Sequence, residues 1–96
     1  MDSTNDIAIG QVVRSKAGRD KGNIFLVLSV VDDKNVLIVD GNIRKLDNPK
    51  KKKVKHLIVY NTVLSELEYR LNNNIKFNNA YIRKLVEPFN KSLKIV

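Results

Sequence analysis

Two apolar stretches joined by a short polar turn limit how this chain can fold. Residues 23–31 and 36–39 are both predicted strands, and each carries apolar side chains on both of its faces. The turn between them, Asp32 to Asn35, is rich in residues that bond their own backbone. A strand with one face in water alternates apolar and polar residues, so this pattern predicts a hairpin buried on two sides. Another part of the chain must therefore cover one of those sides.

Two further strands extend the predicted sheet. Residues 7–14 precede the hairpin and residues 56–61 follow it, and both stretches are apolar enough to join the same sheet. Residues 1–6 are polar and offer no apolar group to hold them, so we expect them to be disordered.

Residues 62–96 are the predicted cover, in the form of two short amphipathic helices that pack on the sheet. Apolar side chains recur there at helical spacing. They are Leu64, Leu67, Leu71 and Ile75 in the first helix and Ile82, Leu85, Val86 and Phe89 in the second. Ser65 and Glu68 have the spacing of a capping box at the start of the first helix, and the run Asn72–Asn74 should end it.

The second helix has its own predicted start and end. Asn78 or Asn79 is expected to cap it, because an asparagine side chain accepts a hydrogen bond from a first-turn amide. Pro88 is expected to end it at or near that residue, because proline lacks the backbone donor that a helix needs. No expectation is attached to the structure of residues 90–96.

Positive charge is concentrated in two segments. Lysine and arginine outnumber acidic residues by 18 to 10, which gives a net charge of +8 and favours an anionic polymer or surface as partner. We call residues 15–22 the glycine loop and residues 41–55 the lysine segment. The cations in or beside the glycine loop are Arg14, Lys16, Arg19 and Lys21, and those of the lysine segment are Arg44, Lys45, Lys50, Lys51, Lys52, Lys53 and Lys55.

Both segments are predicted to be surface loops. Gly18 and Gly22 allow positive φ and close approach to another backbone, so a side chain at either would strain the turn and obstruct a phosphate backbone. Pro49 restricts regular strand pairing in the lysine segment, and the density of charge there argues against a place in the core. The two loops suit a phosphate backbone, and contacts of that kind give affinity and position without reading bases, but charge alone does not choose between RNA, DNA and lipid.

The same residues resemble a known family. The stretches Gly10–Arg14 and Ala17–Ile24 look like a KOW motif, with Gly22 at its hallmark glycine. Val39–Gly41, Arg44-Lys45, Pro49–Lys53 and Lys55–Leu57 follow in the order seen in one KOW family. That family comprises large-subunit ribosomal proteins of archaea and eukaryotes and small bacterial KOW-domain RNA-binding relatives, and the resemblance covers residues 7–61.

The resemblance implies a fold and a function. It implies that residues 7–61 form an SH3-like small β-barrel, so the chain is predicted to be mainly β, with the two short C-terminal α-helices expected from the apolar pattern packed on the barrel. It implies an RNA-binding protein of the translation apparatus that contacts ribosomal RNA through the two basic segments, with ribosomal proteins as further partners. We expect the protein to be cytoplasmic and noncatalytic, because no signal sequence and no catalytic motif is predicted. His56 lies in the family's Lys-His-Leu sequence, where a structural role and a hydrogen bond to RNA are both open. Whether membership of the ribosome is integral or peripheral is also open, because the chain ends in a compact helical segment rather than a long extension.

Other functions stay open from the sequence. SH3-like barrels bind proteins as well as nucleic acids, so the alternative is an interaction module that docks on a transcription or translation factor. An exposed apolar patch on the helices would favour that alternative. A membrane-surface binder or a nonspecific DNA binder would rest on net charge alone.

Several classes of function are not indicated. The chain has no cysteine and one histidine, and it carries no nucleotide-binding loop or nucleophile elbow, so we expect no enzyme, cofactor or metal site. No signal peptide or membrane-spanning stretch is predicted. The six aromatic residues are too few to suggest binding of single strands by base stacking, so recognition of RNA shape and backbone is favoured. The free protein is expected to be monomeric.

Overall fold

A computed structural model describes residues 3–94 of the chain, which are mainly β with two helices. The strands are β1 (Gln11–Ser15), β2 (Ile24–Val30), β3 (Asn35–Val39), β4 (Lys50–Lys53) and β5 (Leu57–Val63). A 3-10 turn, Val54–His56, joins β4 to β5, and the helices α1 (Ser65–Asn72) and α2 (Asn79–Lys94) follow. The strands form one antiparallel sheet in the order β4-β3-β2-β1-β5, so β4 and β5 are its edge strands.

The central strands are buried on both faces, which confirms the expectation drawn from their apolar pattern. One cluster lies on the side away from the helices. Its members are Val13, Phe25, Val27, Val36, Ile38, Val54 and Leu57. The other cluster lies between the sheet and the helices. Its members are Val12, Ile24, Leu26, Val39, Leu67, Ile82 and Val86. Adjacent residues of a strand therefore supply two different cores, as the alternation of side chains requires.

Both helices contribute to the second of these clusters. Leu67 of α1 and Ile82 of α2 are fully buried, and the Asn78 side chain accepts a hydrogen bond from the Tyr81 amide (3.0 Å), which confirms the predicted cap of α2. The helices also contact each other through Tyr81, whose hydroxyl donates to Glu66 and whose ring lies 4.4 Å from the Arg70 guanidinium carbon. Burial raises the pKa of the Tyr81 hydroxyl, and the bond to Glu66 adds to that rise.

Two glycines outside the glycine loop bring the helices close to the sheet. Gly10 and Gly41 have φ of +87° and +77°, a conformation that side chains rarely adopt. A β-carbon at Gly10 would overlap the backbone carbonyl of Leu64, just before α1. A β-carbon at Gly41 would overlap the carbonyl oxygen of Asn79, at the start of α2.

The chain before β1 turns rather than extending the sheet. The prediction that residues 7–14 form one strand is wrong for residues 7–10, because the Gln11 amide donates to the Ala8 carbonyl (3.1 Å) and closes a turn. The buried Gln11 side chain then bonds the Ala8 amide and the Tyr60 carbonyl, where the β1–β5 pairing is irregular. Gln11 thus satisfies backbone groups that a regular ladder would have paired.

Part of the N-terminal segment is tied to the β2–β3 turn. Thr4 lies in the stretch predicted to be disordered, yet it is buried, and its hydroxyl donates to the Asp32 carbonyl (2.6 Å). Its amide donates to the Asp33 carbonyl (2.8 Å). Residues 1 and 2 of that prediction lie outside the described residues.

The lysine run forms a strand instead of a loop. Lys50–Lys53 pairs with Asn35–Ile38 of β3, so the prediction of irregular structure here is wrong. Pro49 stands immediately before the strand, where its missing donor breaks no ladder bond. Lys52 is only 9% exposed and Lys50 is half-buried, while Lys51 and Lys53 are exposed. This alternation lets an edge strand of four lysines bury two aliphatic stems and keep two charges in water.

The helix boundaries differ from the predictions in two places. Leu64 occupies the N-cap of α1 with no side-chain bond, so the capping box of Ser65 and Glu68 is wrong. α2 continues through Pro88 to Lys94, so the predicted end at Pro88 is wrong as well. Phe89 follows the proline and packs against the cluster beneath the helices, and that contact favours continuing the helix. α1 does end at Asn72, as the asparagine run predicts.

Candidate nucleic-acid interface

The glycine loop is a succession of tight turns. Gly18 and Gly22 have φ of +76° and +89°, which confirms the positive φ expected of both. The Gly22 amide donates to the Ser15 carbonyl (2.7 Å), and the Lys21 amide donates to the Gly18 carbonyl (3.2 Å). These bonds fold the loop onto the end of β1, so its shape is set by its own backbone.

Two cations of the lysine segment hold the glycine loop from outside. The Arg44 guanidinium contacts a carboxylate oxygen of Asp20 at 3.0 and 3.1 Å, and the Asp20 side chain is only 4% exposed. The Lys52 ammonium donates to the Ala17 carbonyl at 2.9 Å. The structure therefore brings the two basic segments together through contacts at Ala17 and Asp20 of the loop.

These contacts separate the predicted site residues into two groups. Arg44 and Lys52 are bonded to the glycine loop, and their charges are partly or largely withdrawn from solvent. The other group is free to meet a ligand. Its exposed members are Lys16, Arg19, Lys21, Lys45, Lys51, Lys53 and Lys55.

Four other predicted site residues belong to neither group. Arg14 and Lys50 are half-buried, and Gly18 is exposed with the Lys52 ammonium 3.5 Å from where its β-carbon would stand. Space around Gly22 is open, because a β-carbon there would meet nothing within 4 Å. A backbone could thus approach Gly22 closely, as expected from the sequence.

His56 connects the end of the 3-10 turn to the glycine loop. Its carbonyl accepts a hydrogen bond from the Lys16 amide at 2.9 Å, and its side chain is half-buried. The structure gives the residue a backbone role at the base of the loop.

Two shallow depressions lie among the cations. One, of about 440 Å³, is lined by Arg14, Ser15, Lys16, Lys21, Gly22 and Ile58. The other, of about 250 Å³, is lined by Lys34, Asn35, Lys53 and Lys55. Neither lining includes a carboxylate, so both surfaces suit anionic groups. Lys34 and Ile58 were not among the site residues predicted from the sequence, because both lie outside the two basic segments. Ile58 meets the glycine loop through its pairing with Arg14, and the Lys34 carbonyl accepts a hydrogen bond from the Val54 amide (2.9 Å).

The Asp32 carboxylate, in the turn between β2 and β3, is bonded to the backbone of its own turn. The Asp32 carboxylate accepts the amides of Lys34 (2.9 Å) and Asn35 (2.8 Å). The pKa of Asp32 is lowered mainly by the Lys34 amide, with smaller contributions that include the Lys51 charge. Because its pKa is lowered in the folded state, the Asp32 carboxylate stabilises the fold at pH values above its ordinary pKa. This contribution is lost as the pH falls through the folded-state pKa.

Lys51 is exposed and Lys52 is bonded to the glycine loop, so replacing each of them by methionine should have a different effect. Lys51→Met should leave the free energy of unfolding within about 0.5 kcal/mol of the original, because the side chain is exposed. If the exposed lysines bind RNA, the substitution should lower the salt slope of that binding by about 0.7 to 0.9, the value for one phosphate that is no longer neutralised. Lys52→Met should cost about 1 kcal/mol of stability, because its hydrogen bond is removed, and should leave that slope unchanged.

Urea unfolding and RNA titrations at several salt concentrations measure both quantities. Equal slopes for the two variants, both below that of the unsubstituted protein, would contradict the division.

Within residues 3–94, no cluster of three or more potential metal ligands occurs. Over the same residues, no helix is long and apolar enough to cross a membrane.

Comparison with known proteins gives one informative similarity. No protein-family model matches the chain. The chain is 32% identical over 73 residues to a Bacillus subtilis (strain 168) protein named "Putative ribosome-binding protein YbzG". The aligned region covers 76% of this chain and 99% of the relative. The similarity therefore extends over nearly the whole of that protein.

Proposed function

Because this chain belongs to the family of the Bacillus subtilis protein YbzG, we propose that it is a noncatalytic RNA-binding protein that associates with ribosomes in the cytoplasm. The name of the relative supports the ribosome as the partner. Ribosomal RNA is the component of the ribosome that a chain with a net charge of +8 suits best. Ribosomal proteins beside the RNA site are additional partners in this proposal.

The finer fold proposed is an SH3-like barrel of the KOW type. Three features support it: the strand order β4-β3-β2-β1-β5, the 3-10 turn between β4 and β5, and an apolar cluster on the side of the sheet away from the helices. The register shifts in the β1–β5 and β2–β3 pairs are irregularities of the kind that bend a sheet. In this proposal Gly22, in the loop between β1 and β2, corresponds to the KOW glycine.

One observation carries the proposed mode of binding: the Arg44–Asp20 and Lys52–Ala17 contacts unite the two basic segments. They hold the glycine loop in place, so little conformational entropy is lost when the exposed cations meet phosphates. If about six phosphates are neutralised, the logarithm of the affinity should fall with the logarithm of salt at a slope of roughly four to five.

Sedimentation of a cell lysate through sucrose gradients tests the association, with the protein followed by immunoblot at low and high salt. We expect comigration with ribosomal particles at low salt and release at high salt, because exposed charges are screened by salt. Comigration that survives high salt would instead support an integral ribosomal protein. Absence from ribosomal fractions at both salt concentrations would contradict the proposed function.

An apolar patch on the helices supports a second candidate, a protein-interaction module. Leu71 of α1 is 37% exposed, Ile75 in the following connection is 39% exposed, and both line one depression. These residues lie in the helical part of the chain, apart from the basic loops. Association that persists after charge reversal in the basic segments but disappears on replacing Leu71 and Ile75 by serine would favour this candidate over RNA binding.

A further inference from the structure

The depression beside the glycine loop combines two chemistries. Its lining includes three cations, Arg14, Lys16 and Lys21, and one large apolar side chain, Ile58. A phosphate needs only the cations. The apolar residue at the same place suggests a ligand that carries an anionic group and a flat or apolar group together.

Strand pairing sets the positions of Arg14 and Ile58. Arg14 of β1 is directly opposite Ile58 of β5, so their side chains project from the same face of the sheet. Val12 lies two residues before Arg14 on that face and is buried in the cluster under the helices. The sheet face thus continues beyond the helices and is open to solvent at this point.

Neither Arg14 nor Ile58 has the surroundings that are usual for its residue type. Ile58 is 42% exposed, although its strand neighbour Leu57 is buried. The Arg14 side chain is half-buried, and among residues 3–94 its guanidinium makes no hydrogen bond or ion pair. A partly desolvated arginine without a carboxylate is well suited to an anion or to the face of a planar ring.

The depression has room for such a group. Its volume of about 440 Å³ falls within the range of small-molecule sites, roughly 300 to 1,000 Å³. Gly22 leaves it open on the side of the loop, where a β-carbon would meet nothing within 4 Å. The site is therefore wide enough for one nucleotide but is too shallow to enclose one.

We propose that this depression receives one unpaired nucleotide of RNA. The base lies against Ile58 and the Arg14 guanidinium, and the adjoining phosphate is held by Lys16 and Lys21. The inference rests on the proposed function and deepens it: the protein binds RNA phosphates in general and, at this one place, selects an unstacked base. Base planes commonly pack on arginine in proteins that bind RNA loops and bulges.

Fluorescence anisotropy with two RNA probes tests the inference: a ten-nucleotide single strand of uridine and a twelve-base-pair duplex. Ile58→Ser should weaken binding of the single strand about three- to tenfold, because the base no longer packs on an apolar side chain, with an unchanged salt slope. Binding of the duplex should not change. Val63→Ser is the matched control, because Val63 is similarly exposed (40%) and lies at the other end of the same strand, β5.

A second variant tests the same contact in the opposite direction. Ile58→Phe offers a larger flat surface, so it should tighten single-strand binding about two- to fivefold and leave duplex binding unchanged. Equal effects of the Ile58 substitutions on both probes, or no effect on either, would overturn the inference. Failure of the unsubstituted protein to bind either RNA would instead overturn the proposed function on which it rests.

Discussion

Replacing Lys16 and Lys21 by glutamate should weaken binding to purified ribosomes by about 30-fold or more at 0.15 M salt. Each phosphate that is no longer neutralised at that salt concentration reduces affinity about fivefold, and reversed charge adds repulsion. Both side chains are exposed, so the change should act on binding rather than on folding. Quantitative pelleting with ribosomes measures the decrease in affinity.

The control for this prediction has the same change in net charge. Lys76→Glu with Lys84→Glu reverses two exposed lysines, one between the helices and one on α2. It should reduce affinity no more than about threefold, since these charges act only at long range through a screening solvent. Equal decreases in the two double variants would mean that net charge, not the glycine loop, determines binding.

Gly41→Ala should destabilise the protein by about 3 kcal/mol or more. The residue has φ of +77°, and positive φ costs an alanine roughly 1 to 2 kcal/mol. The new β-carbon would also overlap the Asn79 carbonyl and lie 3.0 Å from the Arg83 amide nitrogen, and crowding of this kind costs about 1 to 3 kcal/mol. The overlap would move α2 away from the sheet.

Gly22→Ala separates these two costs. Its φ of +89° imposes similar backbone strain, but the space around it is empty, so the expected decrease in stability is only about 1 to 2 kcal/mol. Urea denaturation monitored by circular dichroism compares the two variants. If both lose the same stability, the close approach of α2 to Gly41 does not constrain the fold.

The part of the fold that could be predicted is the part that depends on the pattern of apolar side chains along each strand and helix. Apolar residues on both faces of β2 and β3 require two cores, and the stripe Ile82–Phe89 supplies one side of the second. The strand of four lysines could not be predicted in this way. Its pairing is set by β3, and burial of the Lys52 stem depends on an acceptor, Ala17, that is 35 residues away.

The candidate site was predicted as a collection of charges, and its internal contacts were not. The sequence does not distinguish Arg44, which is bonded to Asp20, from Lys45, which is exposed, because that difference depends on a contact between separate loops. The sequence also does not identify Ile58 as a site residue, because it resembles any other strand residue until its pairing with Arg14 is known. Gly10 and Gly41 likewise carry no local signal of the helices that approach them.

Ultraviolet crosslinking of the protein to RNA in intact ribosomes, with mapping of the crosslinked peptides, tests the central claim most directly. The account predicts RNA crosslinks in the glycine loop, residues 15–22, and in the lysine segment, residues 41–55. Crosslinks confined to α1 and α2, or ribosome binding with no RNA crosslink in either basic segment, would contradict it.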